Sequence, residues 1–187
     1  DQPIDVFLLA DARAHRELLT QLYPRVPYRR ALFVQRGGRG ARGCPWRNVF
    51  DGLALSSVRT IRAALPYLRK AEWARIVNLS AMSTKRQSPP LIAYTAAKSA
   101  LTSLTKNLAQ TLAPEGILVN TVRPGTFASA SFKAALAEMP GVDENDLHDI
   151  MRFIGEGFGH HVFLDRAADP AEIGPVIAFA ASARNTY

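Results

Sequence analysis

Apolar residues along the chain follow two patterns, short runs typical of buried strands and a longer stretch typical of a helix. Residues 76–79 and Ile117–Val122 are short apolar runs, each interrupted by an asparagine, and the second is rich in β-branched residues. Between them, residues 93–113 are dense in good helix formers, and a proline and a glycine follow. Strand, helix and strand in this order predict a right-handed crossover and a parallel sheet. The predicted fold class is therefore α/β.

Further helices are predicted on both sides of this unit. Residues 56–68 place apolar side chains at helical spacing, so we expect a long amphipathic helix before the first run. The sequence of residues 132–139 predicts a short helix. Asp169 and Pro170 have the pattern of a helix start, an acidic cap followed by proline, and predict a last helix over 171–181.

Length and composition narrow the classes of protein that fit this pattern. The 187 residues suit one domain, 1–187, that is long enough to bury a core. No apolar run approaches the length of a membrane span and no secretory signal is visible, so we expect a cytoplasmic protein with no membrane partner. Cys44 is the only cysteine, which fits a reducing compartment. His160 and His161 are adjacent and point apart in regular structure, so we expect no metal site.

Positive charge is concentrated in the first part of the chain. Residues 1–50 hold nine arginines, no lysine and four acidic residues, which accounts for five of the seven net positive charges. An arginine patch of this kind can bind a polyanion. Few aromatic residues lie among the arginines and no nucleic-acid module is visible, so the sequence does not favour a nucleic-acid partner.

The candidate chemistry is a tyrosine and a lysine on the predicted central helix. Tyr94 and Lys98 are four residues apart, about one helical turn, so the phenol and the ammonium lie on the same face. A free phenol has a pKa of about 10, and a neighbouring ammonium lowers the pKa of a phenol because it favours the phenolate. Such a pair can act as a general acid or base. The other interpretation is a chance pairing on a helix.

The residues around this pair resemble the short-chain dehydrogenase/reductase family in order and spacing. The matching motifs are Asn78-Leu79-Ser80, Tyr94 fourteen residues after Ser80, Ala97-Lys98-Ser99-Ala100-Leu101 and Val119-Asn120-Thr121-Val122-Arg123-Pro124-Gly125. The resemblance covers residues 48–187 and leaves 1–47 as an atypical arginine-rich part. It implies a Rossmann-like three-layer sandwich with a mainly parallel sheet.

The resemblance also implies an activity and a set of site residues. The implied activity is hydride transfer between NAD or NADP and a small alcohol or ketone, with Tyr94 as acid/base, Lys98 assisting and Ser80 as the catalytic serine. The residues expected to bind the cofactor are Tyr94, Lys98, Asn78, Pro124, Gly125, Phe127 and Ser129. The two long predicted helices are expected to pack across the interfaces of a homo-oligomer.

Two positions near the expected catalytic residues depart from the family pattern. Leu53 occupies the position of an asparagine that supports a proton-relay water in the family. Ala81 occupies the position of the family's serine, thirteen residues before Tyr94. Ser80 and Ser83 are the neighbouring hydroxyls that can replace it, and an ordinary loop role is the other interpretation of each.

The two ends of the chain depart from the family more strongly. Residues 5–10 are a candidate strand and 14–22 a candidate helix, but the family's glycine-rich nucleotide turn does not lie between them. The glycines of 37–43 fit a flexible loop better. No counterpart of the family's final strand follows residue 181, so we expect a sheet that is incomplete at both ends, with an exposed edge.

Two expectations stay open at the level of sequence. The first is the function itself, since a non-catalytic remnant that acts as an interaction subunit through the long helices is the alternative to an enzyme. The second concerns residues 151–163, where glycines alternate with phenylalanines. The resemblance implies a mobile lid over the substrate there, and a loop packed on the core is the alternative.

Overall fold

The computed structural model describes residues 6–9 and 45–187. The strands are β1 (Val6–Leu9), β2 (Ala74–Leu79) and β3 (Ile117–Val122). The helices are α1 (Pro45–Phe50), α2 (Ser56–Leu68), α3 (Ile92–Leu112), α4 (Ala130–Leu136), α5 (Leu147–Phe158) and α6 (Pro170–Ala180). The candidate helix at 14–22 and the glycines at 37–43 lie outside the described residues.

The three strands form one parallel sheet in the order β1-β2-β3. Leu8 of β1 is in register with Val77, and Val77 is in register with Asn120 of β3. Every residue of β2 is buried, as expected for a central strand of a parallel sheet that is covered on both faces. The predicted parallel α/β sheet is thereby confirmed.

Alternate residues of β2 face two different helical layers. Ile76 packs with α2 and α3 through Ile61 and Leu112. Val77 and Leu79 point to the opposite face and pack against Ile177 of α6. Burial of one such aliphatic side chain contributes about 1.5–3 kcal/mol to the stability of the fold. The helical layers on both faces therefore stabilise the sheet. This is the expected three-layer, Rossmann-like arrangement.

Helix bounds follow local signals in most places. The helix predicted over 93–113 is α3, and the last predicted helix is α6. Asp169 caps α6 in a complete capping box with Glu172, which fixes where that helix begins. No helix in the described part of the chain is long and apolar enough to cross a bilayer.

The alternative of a packed loop over 151–163 does not hold for 151–158, because these residues belong to α5. Ile150, Met151 and Ile154 are buried on one face of this helix, at the spacing that an amphipathic helix requires. Asp146 caps its start, since its carboxylate accepts hydrogen bonds from the backbone of the first turn. The glycines in this segment obscured the helical spacing of its apolar residues in the sequence.

Candidate active site

Helix α3 carries the predicted tyrosine and lysine in its first two turns. Lys98 is only 6% exposed, and its Nζ lies 5.8 Å from the centroid of the Tyr94 ring. The same Nζ donates a hydrogen bond to the carbonyl oxygen of Leu79, the last residue of β2, at 2.7 Å. A buried ammonium is thus anchored to the sheet and held over the ring of Tyr94. Its positive charge favours the phenolate form of that tyrosine.

Tyr94 lies between two cavities that open at the carboxyl ends of β2 and β3. The first cavity, of about 300 Å³, contains Lys98 in its wall. The second, of about 290 Å³, contains Ser83 and His160. The residues that line both cavities are Tyr94, Pro124, Gly125, Thr126, Phe132 and Ile154. The cavities are therefore two halves of one cleft, at the edge where open α/β sheets bind ligands.

The turn after β3 forms the floor of this cleft. The carbonyl of Pro124 accepts a hydrogen bond from the backbone N–H of Met82 at 2.9 Å, which ties the turn to the loop after β2. On its other side, the N–H of Ala128 donates to the carbonyl of Ala168, and the N–H of Ala168 donates to the carbonyl of Thr126, each at 2.9 Å. The turn is therefore held rigidly from two directions.

Gly125 leaves room in the cleft. A Cβ atom added at this position meets no other atom within 4 Å, and the residue lines both cavities. A side chain there projects into open cleft rather than into the protein. A flat ring such as a nicotinamide needs this kind of close approach to backbone, so the residues fit the nicotinamide half of a dinucleotide.

Phe127 and Ser129, two of the residues expected to bind the cofactor, also line the first cavity. Phe127 pairs with Ala168 in a short parallel bridge. Ser129 caps α4, and its hydroxyl accepts a hydrogen bond from the N–H of Phe132 at 3.3 Å. Both residues are held by backbone contacts that fix the wall of the first cavity.

The serines near Tyr94 differ in their contacts. The hydroxyl of Ser80 lies 3.0 Å from the carbonyl oxygen of Lys98 and 2.6 Å from Oγ1 of Thr102. Ser80 lines the first cavity, but its hydroxyl is bound to α3. Ser83 lines the second cavity, is buried, and its hydroxyl has no hydrogen-bond partner among the described residues.

Asn78 is the predicted cofactor-binding residue that the fold does not bring into the cleft. Its side chain is fully buried, and its amide nitrogen donates to Oγ1 of Thr105 on α3 at 2.9 Å. Successive side chains of a strand point to opposite faces, and this residue faces the helical layer rather than the strand end. It ties β2 to α3 beneath the site.

Leu53 lies in the wall of the first cavity, on the π-helical turn Asp51–Leu55 between α1 and α2. The position where the family has an asparagine therefore faces the expected site, but carries an apolar side chain. A leucine neither donates nor accepts a hydrogen bond. Its side chain makes this wall of the cavity apolar.

The sequence analysis missed the contribution of α5 and the residues after it. Ile154, Phe158 and His160 line the second cavity. A ring nitrogen of His160 lies 2.8 Å from the carbonyl oxygen of Arg86, and the Arg86 guanidinium donates to the carbonyl of His161 at 2.9 Å. These two bonds tie the loop after β2 to the segment after α5. The adjacent histidines are the signal in the sequence that marks this contact.

Comparison with known proteins decides the family. The sequence model of the family described as short chain dehydrogenase matches residues 42–140, more than half of the chain. The chain belongs to the short-chain dehydrogenase family. A relative in Bacillus subtilis (strain 168), the uncharacterized oxidoreductase YhxC, is 31% identical over 126 residues, which are 67% of this chain and 39% of that protein. This short-chain dehydrogenase chain spans about half or less of the length of such relatives.

Solved structures share the fold of this short-chain dehydrogenase. A short chain oxidoreductase from Pseudomonas aeruginosa PAO1, described as containing an atypical catalytic center, has a TM-score of 0.71 at 19% identity and covers 97% of this chain and 81% of its own. L-sorbose reductase from Gluconobacter frateurii, complexed with NADPH and L-sorbose, has a TM-score of 0.63 at 19% identity and covers 93% and 67%. At these identities the likeness concerns the fold.

Proposed function

We propose that the protein is an NAD(P)-dependent oxidoreductase that interconverts an alcohol and a ketone. The observation that carries the proposal is the Tyr94–Lys98 pair, held over a cleft at the carboxyl ends of two parallel strands. Membership of the short-chain dehydrogenase family supports it, and one structural relative is complexed with NADPH and L-sorbose.

Tyr94 is the proposed acid/base. When bound, the nicotinamide supplies or accepts the hydride at the carbon of the substrate. In the reductive direction, Oη of Tyr94 gives its proton to the substrate oxygen, and in the oxidative direction the phenolate takes that proton back. The ammonium of Lys98, 5.8 Å from the ring centroid, stabilises the negative charge left on the phenolate.

The first cavity is the proposed site of the nicotinamide half of the cofactor. Tyr94 and Lys98 form one wall of it, and Pro124, Gly125 and Phe127 form the floor. Ser129 lies beside them. We assign Ser80 and Asn78 to positioning, because both hold the end of β2 against α3. Both NAD(H) and NADP(H) enter the test.

The protein is further proposed to form a homo-oligomer through α2 and α3. Each of these helices buries residues against the sheet and also carries exposed apolar side chains, among them Val58 and Ile92. Exposed apolar residues on long helices favour packing against a second copy.

The test is isothermal titration of the folded chain with NADH and with NADPH, followed by turnover assays on a panel of alcohols and ketones. Tyr94→Phe is the matched control, because it removes one oxygen and keeps the ring. We expect binding of at least one nucleotide in the micromolar range, roughly −8 kcal/mol. The Tyr94→Phe variant is expected to lose roughly 10²–10⁴-fold in kcat.

A folded chain that binds neither nucleotide would contradict the proposal. It would instead support the alternative interpretation, a non-catalytic member of the family that acts through its helices. Turnover that survives Tyr94→Phe would reject Tyr94 as the acid/base while leaving the oxidoreductase activity in place.

A further inference from the structure

The second cavity has a mainly apolar wall that contains a few polar side chains. Its apolar members include Met82, Leu91, Phe132, Ile154 and Phe158. Its polar members are Ser83, Tyr94, Thr126 and His160. No carboxylate, lysine or arginine lines it among the described residues. A charged group on a bound molecule would find no counter-ion here, and burial of an unpaired charge is costly.

His160 is held in a fixed orientation in this wall. It is 5% exposed, and its Nε2 lies 2.8 Å from the carbonyl oxygen of Arg86. The guanidinium of Arg86 donates in return to the carbonyl of His161 at 2.9 Å. The ring of His161 packs on α5 so closely that a Cβ atom added at Gly155 would come within 2.6 Å of it. These contacts fix the segment that carries His160 between α5 and the loop after β2.

The partner of Nε2 determines what the other ring nitrogen of His160 can do. A carbonyl oxygen only accepts hydrogen bonds, so Nε2 must carry the proton of this bond. In the neutral imidazole, Nδ1 then carries a lone pair and is an acceptor only. A hydroxyl such as that of Thr126 both donates and accepts, so it does not discriminate between ligand groups. Nδ1 of His160 does, because it pairs only with a donor.

Nδ1 of His160 is also accessible. No described residue forms a hydrogen bond with it, and its side chain lines the second cavity. The described side-chain atoms that are unpaired and sealed from solvent are Asn78 Oδ1, Ser83 Oγ, Ser88 Oγ and Thr95 Oγ1. The hydroxyl of Ser83 is therefore closed off from the cavity, whereas Nδ1 of His160 is not sealed. An acceptor in a mainly apolar wall is costly to leave unpaired when a ligand displaces water from it.

We propose that Nδ1 of His160 accepts a hydrogen bond from the substrate, which is a small, uncharged carbonyl compound or alcohol that carries a second hydroxyl group. This inference rests on the proposed function. The second hydroxyl meets Nδ1 while Tyr94, in the same cavity, meets the reacting oxygen. The cavity volume of about 290 Å³ limits the substrate to a small molecule. His160 takes no part in hydride or proton transfer, and it acts on the choice of substrate.

The first test compares four ketones of equal size with NADH and with NADPH. In 1-hydroxy-2-butanone and 4-hydroxy-2-butanone, a hydroxyl that can donate lies at two different distances from the carbonyl. 2-Pentanone has no second polar group. Methoxyacetone has an ether oxygen that accepts but cannot donate, so it controls for the effect of a neighbouring oxygen on carbonyl reactivity. We expect kcat/KM for one hydroxy ketone to exceed the values for 2-pentanone and methoxyacetone by roughly tenfold.

Two variants separate the roles of the two ring nitrogens. His160→Gln can keep a donor for the Arg86 carbonyl, because the amide nitrogen of glutamine reaches about as far as Nε2, but it removes Nδ1. His160→Asn places an amide oxygen near the position of Nδ1 and gives up the bond to Arg86. His148→Gln is the matched control, because Nδ1 of His148 also lies 2.8 Å from a carbonyl oxygen and the residue lies outside both cavities.

The readout is the ratio of kcat/KM for the preferred hydroxy ketone to that for 2-pentanone. We expect His160→Gln to lower this ratio roughly tenfold, toward one. His160→Asn should retain part of the preference, and His148→Gln all of it. A merely structural role of His160 would lower kcat/KM for all four ketones alike and would leave the ratio unchanged.

Long-range proton–nitrogen NMR of the imidazole rings tests the inference without turnover. The signals of His160 are those that His160→Gln removes. We expect a protonated Nε2 and an unprotonated Nδ1, because the Arg86 carbonyl requires a donor at Nε2. Addition of the preferred hydroxy ketone should shift the Nδ1 resonance, and addition of 2-pentanone should not.

The outcomes separate this inference from the proposed function. An active enzyme with equal kcat/KM for the hydroxy ketones and 2-pentanone overturns the inference and leaves the proposed function standing. A preference that survives His160→Gln, or a protonated Nδ1 in the neutral ring, does the same. If no nucleotide binds, the proposed function fails, and NMR titration with the ketones alone decides the inference. A shift of Nδ1 that only the hydroxy ketones cause supports it, and no shift overturns it.

Discussion

At the scale of single residues, the site has two side chains that match the family pattern and two that depart from it. Tyr94 and Lys98 share one face of α3, and the Leu79 carbonyl holds the lysine in place. Leu53 and Ala81 are apolar where the family has an asparagine and a serine. Any polar contact beyond the Tyr94–Lys98 pair must therefore come from other residues of the cleft.

Gly125→Ala tests whether the open space at the floor of the cleft serves a ligand. The added methyl group meets no protein atom within 4 Å, so the melting temperature should not change. The methyl group occupies part of the cleft instead, and we expect nucleotide affinity to fall roughly tenfold, about 1.4 kcal/mol. Isothermal titration and thermal unfolding measure the two quantities.

Gly157→Ala is the control for this substitution. Its added methyl group also meets nothing within 4 Å, but Gly157 lies on α5 outside both cavities. It should leave nucleotide affinity unchanged. Equal affinities for all three proteins would mean that no ligand approaches Gly125.

Ser80→Ala tests a structural role for the other serine. Its hydroxyl links the end of β2 to Lys98 and Thr102 of α3, and loss of a buried hydrogen bond costs about 1 kcal/mol. We expect a lower free energy of unfolding for Ser80→Ala in urea. Ser83→Ala should show no such loss. A stability equal to wild type for Ser80→Ala would argue against this anchoring role.

At the scale of elements, local signals set the helix ends near the cleft. The cap at Asp169 starts α6, and the segment before it pairs with the turn after β3. The guanidinium of Arg166 binds the carboxylate of Glu172 at 2.7 and 2.8 Å, and the Asp169 N–H donates to the same carboxylate. The start of α6 and one side of the cleft floor are thus held by one cluster.

This cluster predicts a pH dependence of stability. The hydrogen bond from Arg166 and that from the Asp169 backbone lower the pKa of Glu172 from 4.5 to about 2. A carboxyl whose folded pKa is depressed stabilises the fold above its unfolded pKa, and this contribution disappears as the pH falls from about 4.5 to about 2. Wild type should therefore exceed Glu172→Gln in melting temperature at neutral pH, and the difference should shrink across that acid range.

Glu156→Gln, at an exposed glutamate of α5, provides the comparison. The difference in melting temperature between this variant and wild type should be small at neutral pH. A gap between wild type and Glu172→Gln that persists at pH 2 would show that the carboxylate charge is not its cause.

At the scale of the whole molecule, α2 and α3 are the surface that we propose for self-association. Val58→Glu places a charge on the exposed face of α2, where Val58 is 40% exposed. We expect the wild-type chain to be a dimer or larger in light scattering, and this variant to shift toward the monomer because a buried charge without a partner is costly. Met139→Glu, at an equally exposed residue after α4, should leave the oligomer intact. A wild-type chain that is monomeric would refute the interface.

Much of this architecture was accessible from the sequence alone. Short apolar runs predicted β2 and β3, and the helical spacing of apolar residues predicted α2. A stretch of good helix formers predicted α3, and an acidic cap followed by proline predicted α6. The spacing of Tyr94 and Lys98 predicted a shared face, because a helix returns to the same side after about four residues. These features depend only on neighbours along the chain.

The contacts between distant segments of the chain were decided only by the tertiary structure. Helix α5 was not predicted, because its glycines obscured the apolar period, yet it brings Ile154 and Phe158 into the cleft. The orientation of Asn78 toward α3, and the contrast between a bound Ser80 and an unpaired Ser83, depend on how a strand end and a helix pack together. Spacing along the chain places a residue on an element, but only the packing of elements determines which neighbour satisfies its polar group.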